Sequence, residues 1–178
     1  MNEQLILKIG IVDDHAMFRK SIIKFLEEFD DLHIILESGS GVSFLEMIRL
    51  AKEKPDVCLL DINLGNEMNG FEVAAAIKKE FPNIKMLAVS MYDSEFSVLR
   101  MIQNGVHGYI LKSEEPFVLH KAIFEVYHKN MYSSDIASAR MIFHSNFEQM
   151  HLLSSISDKE LEFIKYNCSD LSYKEIAD

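Results

Sequence analysis

Five short runs rich in Val, Ile and Leu, at residues 7–12, 33–36, 56–62, 85–91 and 106–111, constrain this chain more than any other feature. Each reads as a strand. Each is followed by a segment whose apolar residues recur at helical spacing: Phe18, Ile22, Phe25 and Leu26; Phe44, Leu45 and Ile48; Val73, Ala76 and Ile77; Phe96, Leu99 and Ile102; and, within residues 116–129, Val118, Leu119, Ala122, Ile123 and Val126. Runs that stay apolar on both faces need cover on both faces, and a parallel sheet with crossover helices on either side supplies it. The expected architecture is an α/β, doubly wound (βα)5 sheet, for which 2-1-3-4-5 is one of the two common strand orders and the one expected here, and ligands of such sheets bind beyond the carboxyl ends of the strands.

After residue 130 the pattern changes. Residues 131–152 include Ser133, Ser134, Ser138, Ser145 and Asn146, show no strand-like run, and read as a partly helical linker. Beyond them, Ser157-Asp158-Lys159-Glu160 and Ser172-Tyr173-Lys174-Glu175 each fit a capping box, in which Ser and Glu satisfy free backbone N–H groups at a helix start. Two helices are expected to begin there, the second just before Asp178. The expected organisation is a sheet domain over 1–130, a linker over 131–152 and a small all-α piece over 153–178.

Composition excludes several function classes. A net charge of -10 opposes non-specific attraction to phosphate backbones and suits a cation or a basic partner. Cys58 and Cys168, far apart in sequence, give neither a disulfide framework nor a zinc spacing and point to a reducing compartment. The N-terminus lacks the apolar stretch of a signal peptide, and no run approaches the roughly 20 apolar residues of a bilayer span. The expectation is a cytoplasmic protein with no membrane partner.

The carboxyl edge of the expected sheet gathers five polar side chains: Asp13 and Asp14 end the first strand, Asp61 the third, Ser90 the fourth and Lys112 the fifth. Taken singly each has an ordinary reading, as a turn, a helix cap or a loop residue; their joint occurrence at strand ends points to chemistry. Three neighbouring carboxylates raise one another's proton affinity unless a cation neutralises them, and Mg2+, which accepts a few carboxylate oxygens plus a phosphate, is the natural candidate. With charge on the transferring oxygens neutralised, a carboxylate such as Asp61 can attack phosphorus and form an aspartyl phosphate. Lys112 can supply the second positive charge, and Ser90 can hold a phosphoryl oxygen and carry its loop with it. That set makes a switch rather than a turnover enzyme. His15, after the acid pair, is expected on the surface, and Asn69-Gly70 is expected to end the loop after the third strand.

The segments IVDDH, LLDIN, LAVSMYDSE and GYILKS together resemble the response-regulator receiver domain of two-component signalling, over roughly residues 5–130. The resemblance implies a flavodoxin-like fold, with Asp61 as phosphoacceptor, Asp13, Asp14 and the backbone carbonyl of Asn63 joining it around Mg2+, Ser90 and Lys112 on the phosphoryl oxygens, and Tyr109 as the aromatic whose rotamer follows Ser90. The loop DINLGNEMNG lacks the proline usual after the phosphoacceptor and is one residue longer, a departure that bears on phosphorylation kinetics.

SMYD and the tail LSSISDKELEFIKYNCSDLSYKEIAD further resemble the NarL/FixJ branch, whose output is a LuxR-type helix-turn-helix. The tail matches only the beginning of that domain, without the recognition helix that enters the major groove, and carries three lysines against six acids. DNA is therefore expected as a partner only of a chain that includes that helix. The leading expectation is a transcriptional regulator phosphorylated on Asp61 by a sensor histidine kinase, with a homodimer as its partnered form. The alternative is a stand-alone receiver acting as a protein-interaction module. A metal-dependent phosphatase resembling the haloacid-dehalogenase group would need a second acid two residues after the nucleophile, where Asn63 stands.

Overall fold

The computed structural model describes residues 5–65, 67–91 and 95–132. The expected helices within 153–178 and the linker from residue 133 onward lie outside the described residues. Ten elements alternate: β1 (Leu7–Val12), α1 (Ala16–Leu26), β2 (Leu32–Ser38), α2 (Gly41–Leu50), β3 (Val57–Leu60), α3 (Gly70–Glu80), β4 (Lys85–Ser90), α4 (Glu95–Gln103), β5 (Gly108–Leu111) and α5 (Pro116–Lys129). The strands form one sheet in the order β2-β1-β3-β4-β5, the doubly wound order expected, and every pairing is parallel.

The period of two along each strand divides the core in two. In β3, Val57 and Leu59 join a cluster with Leu26 of α1 and Leu119, Ala122, Ile123 and Val126 of α5. Cys58 and Leu60 face the other way, toward Phe44, Leu45 and Ile48 of α2, Val73, Ala74 and Ile77 of α3, and Val98 and Met101 of α4. Alternate residues of β3 thus serve opposite helical layers, which is why the strand reads as continuously apolar. Full burial of each Val, Leu, Ile, Phe or Met side chain among these contributes about 1.5–3 kcal/mol.

Element ends differ from the sequence reading in every strand after the first; β3 covers only Val57–Leu60 of the run 56–62, with Asp61 and Ile62 buried beyond its end. β2, at the sheet edge, extends beyond its apolar run to Ser38, with His33 and Glu37 exposed. β4 stops at Ser90, and Met91 turns outward at 68% exposure. β5 begins two residues later than expected because Gly105, at φ +92°, ends the turn after α4 and Val106 still donates to the Met101 carbonyl. Asn130, left-handed at φ 61°, caps α5. Tyr132 then donates its N–H to the His107 carbonyl (3.0 Å) and packs on the core around β5, so the first residues assigned to the linker lie against the sheet. No helix among the described residues is long and apolar enough to cross a membrane.

Candidate functional site

β1 and β3 are paired in register, Val12 opposite Leu60, so the residues after them leave the sheet side by side. Asp61 extends that pairing by donating its N–H to the Val12 carbonyl (2.9 Å), which places the Asp13 and Asp61 carboxylates at one edge. Both residues are 3% exposed. Lys112, just past β5, is anchored by its own N–H on the Ser90 carbonyl (2.7 Å). From there its ammonium reaches 2.7 Å from both Asp13 Oδ2 and Asp61 Oδ2. The ammonium also lies 4.7 Å from the centre of the Phe18 ring, an additional attraction for a desolvated cation.

Asp14 is the solvent-facing member, its side chain 36% exposed. Asn63 is exposed, and its backbone N–H donates to Asp61 Oδ1 (3.3 Å). Burial pushes the Asp61 carboxyl above the ordinary carboxylate value, the hydrogen bond and charge of Lys112 pull it back, the neighbouring Asp13 charge raises it, and the Asn63 N–H lowers it. Ser90 ends β4 fully buried, directly beside the Lys112 backbone. Tyr109 pairs with Ala88 of β4 and is buried in the layer beneath α2, α3 and α4. The geometry therefore joins Asp13, Asp61 and Lys112 by side-chain contact, sets Asp14 close beside them, and adds Ser90 and Asn63 through backbone hydrogen bonds.

Ligand atoms of Asp13, Asp14, Asp61 and His15 all lie within 4.8 Å of one another. Three carboxylates less one ammonium leave about two negative charges, which a divalent cation matches, and the oxygen-rich donor set fits Mg2+. His15 is on the surface as expected, but its ring turns to the acids: Nδ1 is 2.9 Å from Asp14 Oδ1, and its backbone N–H donates to Asp13 Oδ1 (2.8 Å).

Two further residues shape the site: Arg19, which was not singled out from sequence, and Gly70, which was read only as part of a loop end. Arg19, on the first turns of α1, donates through Nη1 to the Asp13 backbone carbonyl and lies near Glu37 of β2. Its spacing, four after His15, was the available signal. Gly70 is packed so closely on the loop after β3 that a Cβ there would sit 2.2 Å from the Asp61 carbonyl oxygen and 2.6 Å from Ile62 Cα. Asn69 does more than end a loop: its side chain accepts from the Glu72 N–H (3.1 Å) while Glu72 Oε2 accepts from the Asn69 N–H (2.9 Å), a capping box that starts α3. The loop between carries Gly65 at φ +74° and buries Ile62 and Leu64.

The family described as the response regulator receiver domain matches residues 9–124. The response regulator protein VraR of Staphylococcus saprophyticus is 30% identical over 172 residues, covering 96% of this chain and 80% of that protein. The oxygen regulatory protein NreC of Staphylococcus aureus is 30% identical over 179 residues, covering 97% of this chain and 82% of its own. A solved LuxR-family DNA-binding response regulator, also from Staphylococcus aureus, superposes with a TM-score of 0.64 at 26% identity, over 69% of this chain and 100% of that one.

Proposed function

The chain belongs to the response regulator receiver domain family, and on that premise we propose that it is a switch set by phosphorylation of Asp61. The observation that carries this reading is the buried Lys112 ammonium placed 2.7 Å from both Asp13 and Asp61 at the carboxyl edge of the sheet. A lysine so placed neutralises carboxylates in the resting state and lies beside any phosphoryl group that Asp61 accepts.

In this reading Asp13, Asp14, Asp61 and the Asn63 carbonyl hold a divalent cation, Mg2+, which when bound neutralises charge on the phosphoryl oxygens. An Asp61 carboxylate oxygen attacks phosphorus of a phosphohistidine on a sensor kinase. The new P–O bond forms as the P–N bond breaks, and the departing imidazole takes a proton from solvent. Lys112 transfers one of its hydrogen bonds from the Asp61 carboxylate to a phosphoryl oxygen. Ser90, at the end of β4, supplies a hydroxyl to another, and the movement of its loop is accommodated by Tyr109. Because β4 and β5 are paired from Leu87 to Leu111, such a movement reaches the face beyond β5. There it alters self-association and, through residues that follow the receiver, contact with DNA. The protein is then a phosphoacceptor rather than a catalyst of turnover.

The test is intact mass after incubation with Mg2+ and acetyl phosphate, beside Asp61→Ala. One added phosphoryl group that requires both Mg2+ and Asp61 supports the proposal. No modification under any small donor would refute it and leave a phosphorylation-independent interaction module as the better reading.

A further inference from the structure

The geometry points to His15 as a nitrogen ligand of the acidic cluster, one that biases this centre toward borderline transition dications such as Co2+ over Mg2+. The inference rests on the reading of Asp13, Asp14 and Asp61 as a metal centre and concerns which ion that centre prefers.

His15 stands at the N-cap of α1, where a short polar side chain ordinarily accepts a backbone N–H. Its ring makes no such cap bond. Instead Nδ1 lies 2.9 Å from Asp14 Oδ1, 3.6 Å from Asp13 Oδ1 and 3.8 Å from Asp61 Oδ2. Donors sharing one octahedral ion at bond lengths of about 2.1 Å sit about 3.0 Å apart when adjacent and about 4.2 Å apart when opposite. The three separations fall in or just below that interval, and the four ligand atoms lie within 4.8 Å of one another, so side-chain rotations can bring them onto one ion.

The placement is imposed by the backbone. The His15 N–H is held on Asp13 Oδ1 at 2.8 Å, and the Arg19 N–H on the His15 carbonyl at 2.9 Å opens α1. His15 is thereby tied by its backbone to Asp13 Oδ1, while Lys112 holds the opposite oxygen, Asp13 Oδ2. At 63% side-chain exposure the ring can exchange its Asp14 contact for a metal bond without breaking core packing.

Mg2+ takes oxygen donors and gains little from an imidazole, whereas affinity for nitrogen rises from Mn2+ through Co2+ to Ni2+. The site's preference therefore depends on His15, while its oxygen ligands serve either ion.

The untagged full chain would be titrated with Mg2+ and with Co2+ by calorimetry, and nitrogen coupling to bound Mn2+ read by pulsed electron paramagnetic resonance. Each measurement would be repeated on His15→Gln and Asp13→Asn. The expected result is nitrogen coupling that disappears in His15→Gln, with Co2+ affinity falling about tenfold or more and Mg2+ affinity changing by no more than about twofold. Metal binding with no nitrogen coupling, or an equal loss for both ions in His15→Gln, overturns the inference and leaves the metal centre standing. Co2+ binding that survives Asp13→Asn places the ion elsewhere and also overturns it. Absence of any divalent binding by the native chain is the separate result that removes the metal centre itself.

Discussion

Gly70→Ala is expected to damage the site from outside it. The added Cβ would meet the Asp61 carbonyl oxygen at 2.2 Å, Ile62 Cα at 2.6 Å and the Ile62 carbonyl oxygen at 2.9 Å. A carbon and a carbonyl oxygen settle near about 3.3 Å, so the start of α3 or the Asp61 backbone must yield by about 1 Å. All three obstacles are backbone, and no side chain can rotate away. The steric cost belongs near the upper end of the about 1–3 kcal/mol typical of overpacking. Alanine returns at most about 1 kcal/mol of helix propensity, leaving a net loss of about 2 kcal/mol. A shift of that size at a reacting group costs about 100-fold in rate. Gly65→Ala is the control, because its Cβ would meet nothing within 4 Å and bears only the cost of φ +74°, about 1–2 kcal/mol. Urea unfolding would measure stability, and the rate of Asp61 modification by acetyl phosphate would measure position. A Gly70→Ala chain with native stability and rate, or a Gly65→Ala chain slowed as much as Gly70→Ala, would refute the argument.

Asn69→Ala removes the side-chain half of the capping box with Glu72 and should lower stability by about 1 kcal/mol; an unchanged urea midpoint would show that the cap is redundant. Cys58 is fully buried, and burial holds its thiol well above the usual value of 9.0. In a Cys168→Ser background a thiol reagent should label Cys58 only at the rate of unfolding. Because the folded value is the raised one, the stabilisation from this thiol is full below the usual value and is lost progressively as pH rises from there toward the raised folded value; denaturation midpoints at alkaline pH, compared with Cys58→Ala, check the sign. Mg2+ at about 100 times its dissociation constant should add about 2.7 kcal/mol of stability to the native chain and far less to Asp13→Asn, and equal melting shifts in both would place the stabilising ion elsewhere.

The sheet was legible from residues alone because its strands are buried on both faces. Val57 and Leu59 must satisfy one helical layer and Cys58 and Leu60 the other, so apolar continuity and helical stripes call for a parallel sheet covered on both faces, although they do not fix its strand order. The order of the acids was legible for the same reason: parallel strands put every carboxyl end at one edge, which brings Asp13, Asp61 and Lys112 together whatever the loops do. Reading failed first where that double burial stops. β2 has one neighbour in the sheet and exposed residues along it, so its polar end at Glu37 and Ser38 carried no strand signal.

What only the tertiary structure decided is distance and direction at the edge. That the Lys112 ammonium lies equally near Asp13 and Asp61 depends on the register of β4 against β5 and of β1 against β3. That Gly70 admits no side chain depends on how closely α3 approaches the Asp61 backbone. His15 shows the division within one residue. Its exposure followed from its place after the acid pair, but the turn of its ring toward three carboxylates came from hydrogen bonds to Asp13 and Arg19. Periodicity registers which face of an element is buried; it holds no information on the through-space approach of groups that are far apart in the chain, and the chemistry of this site is made of such approaches.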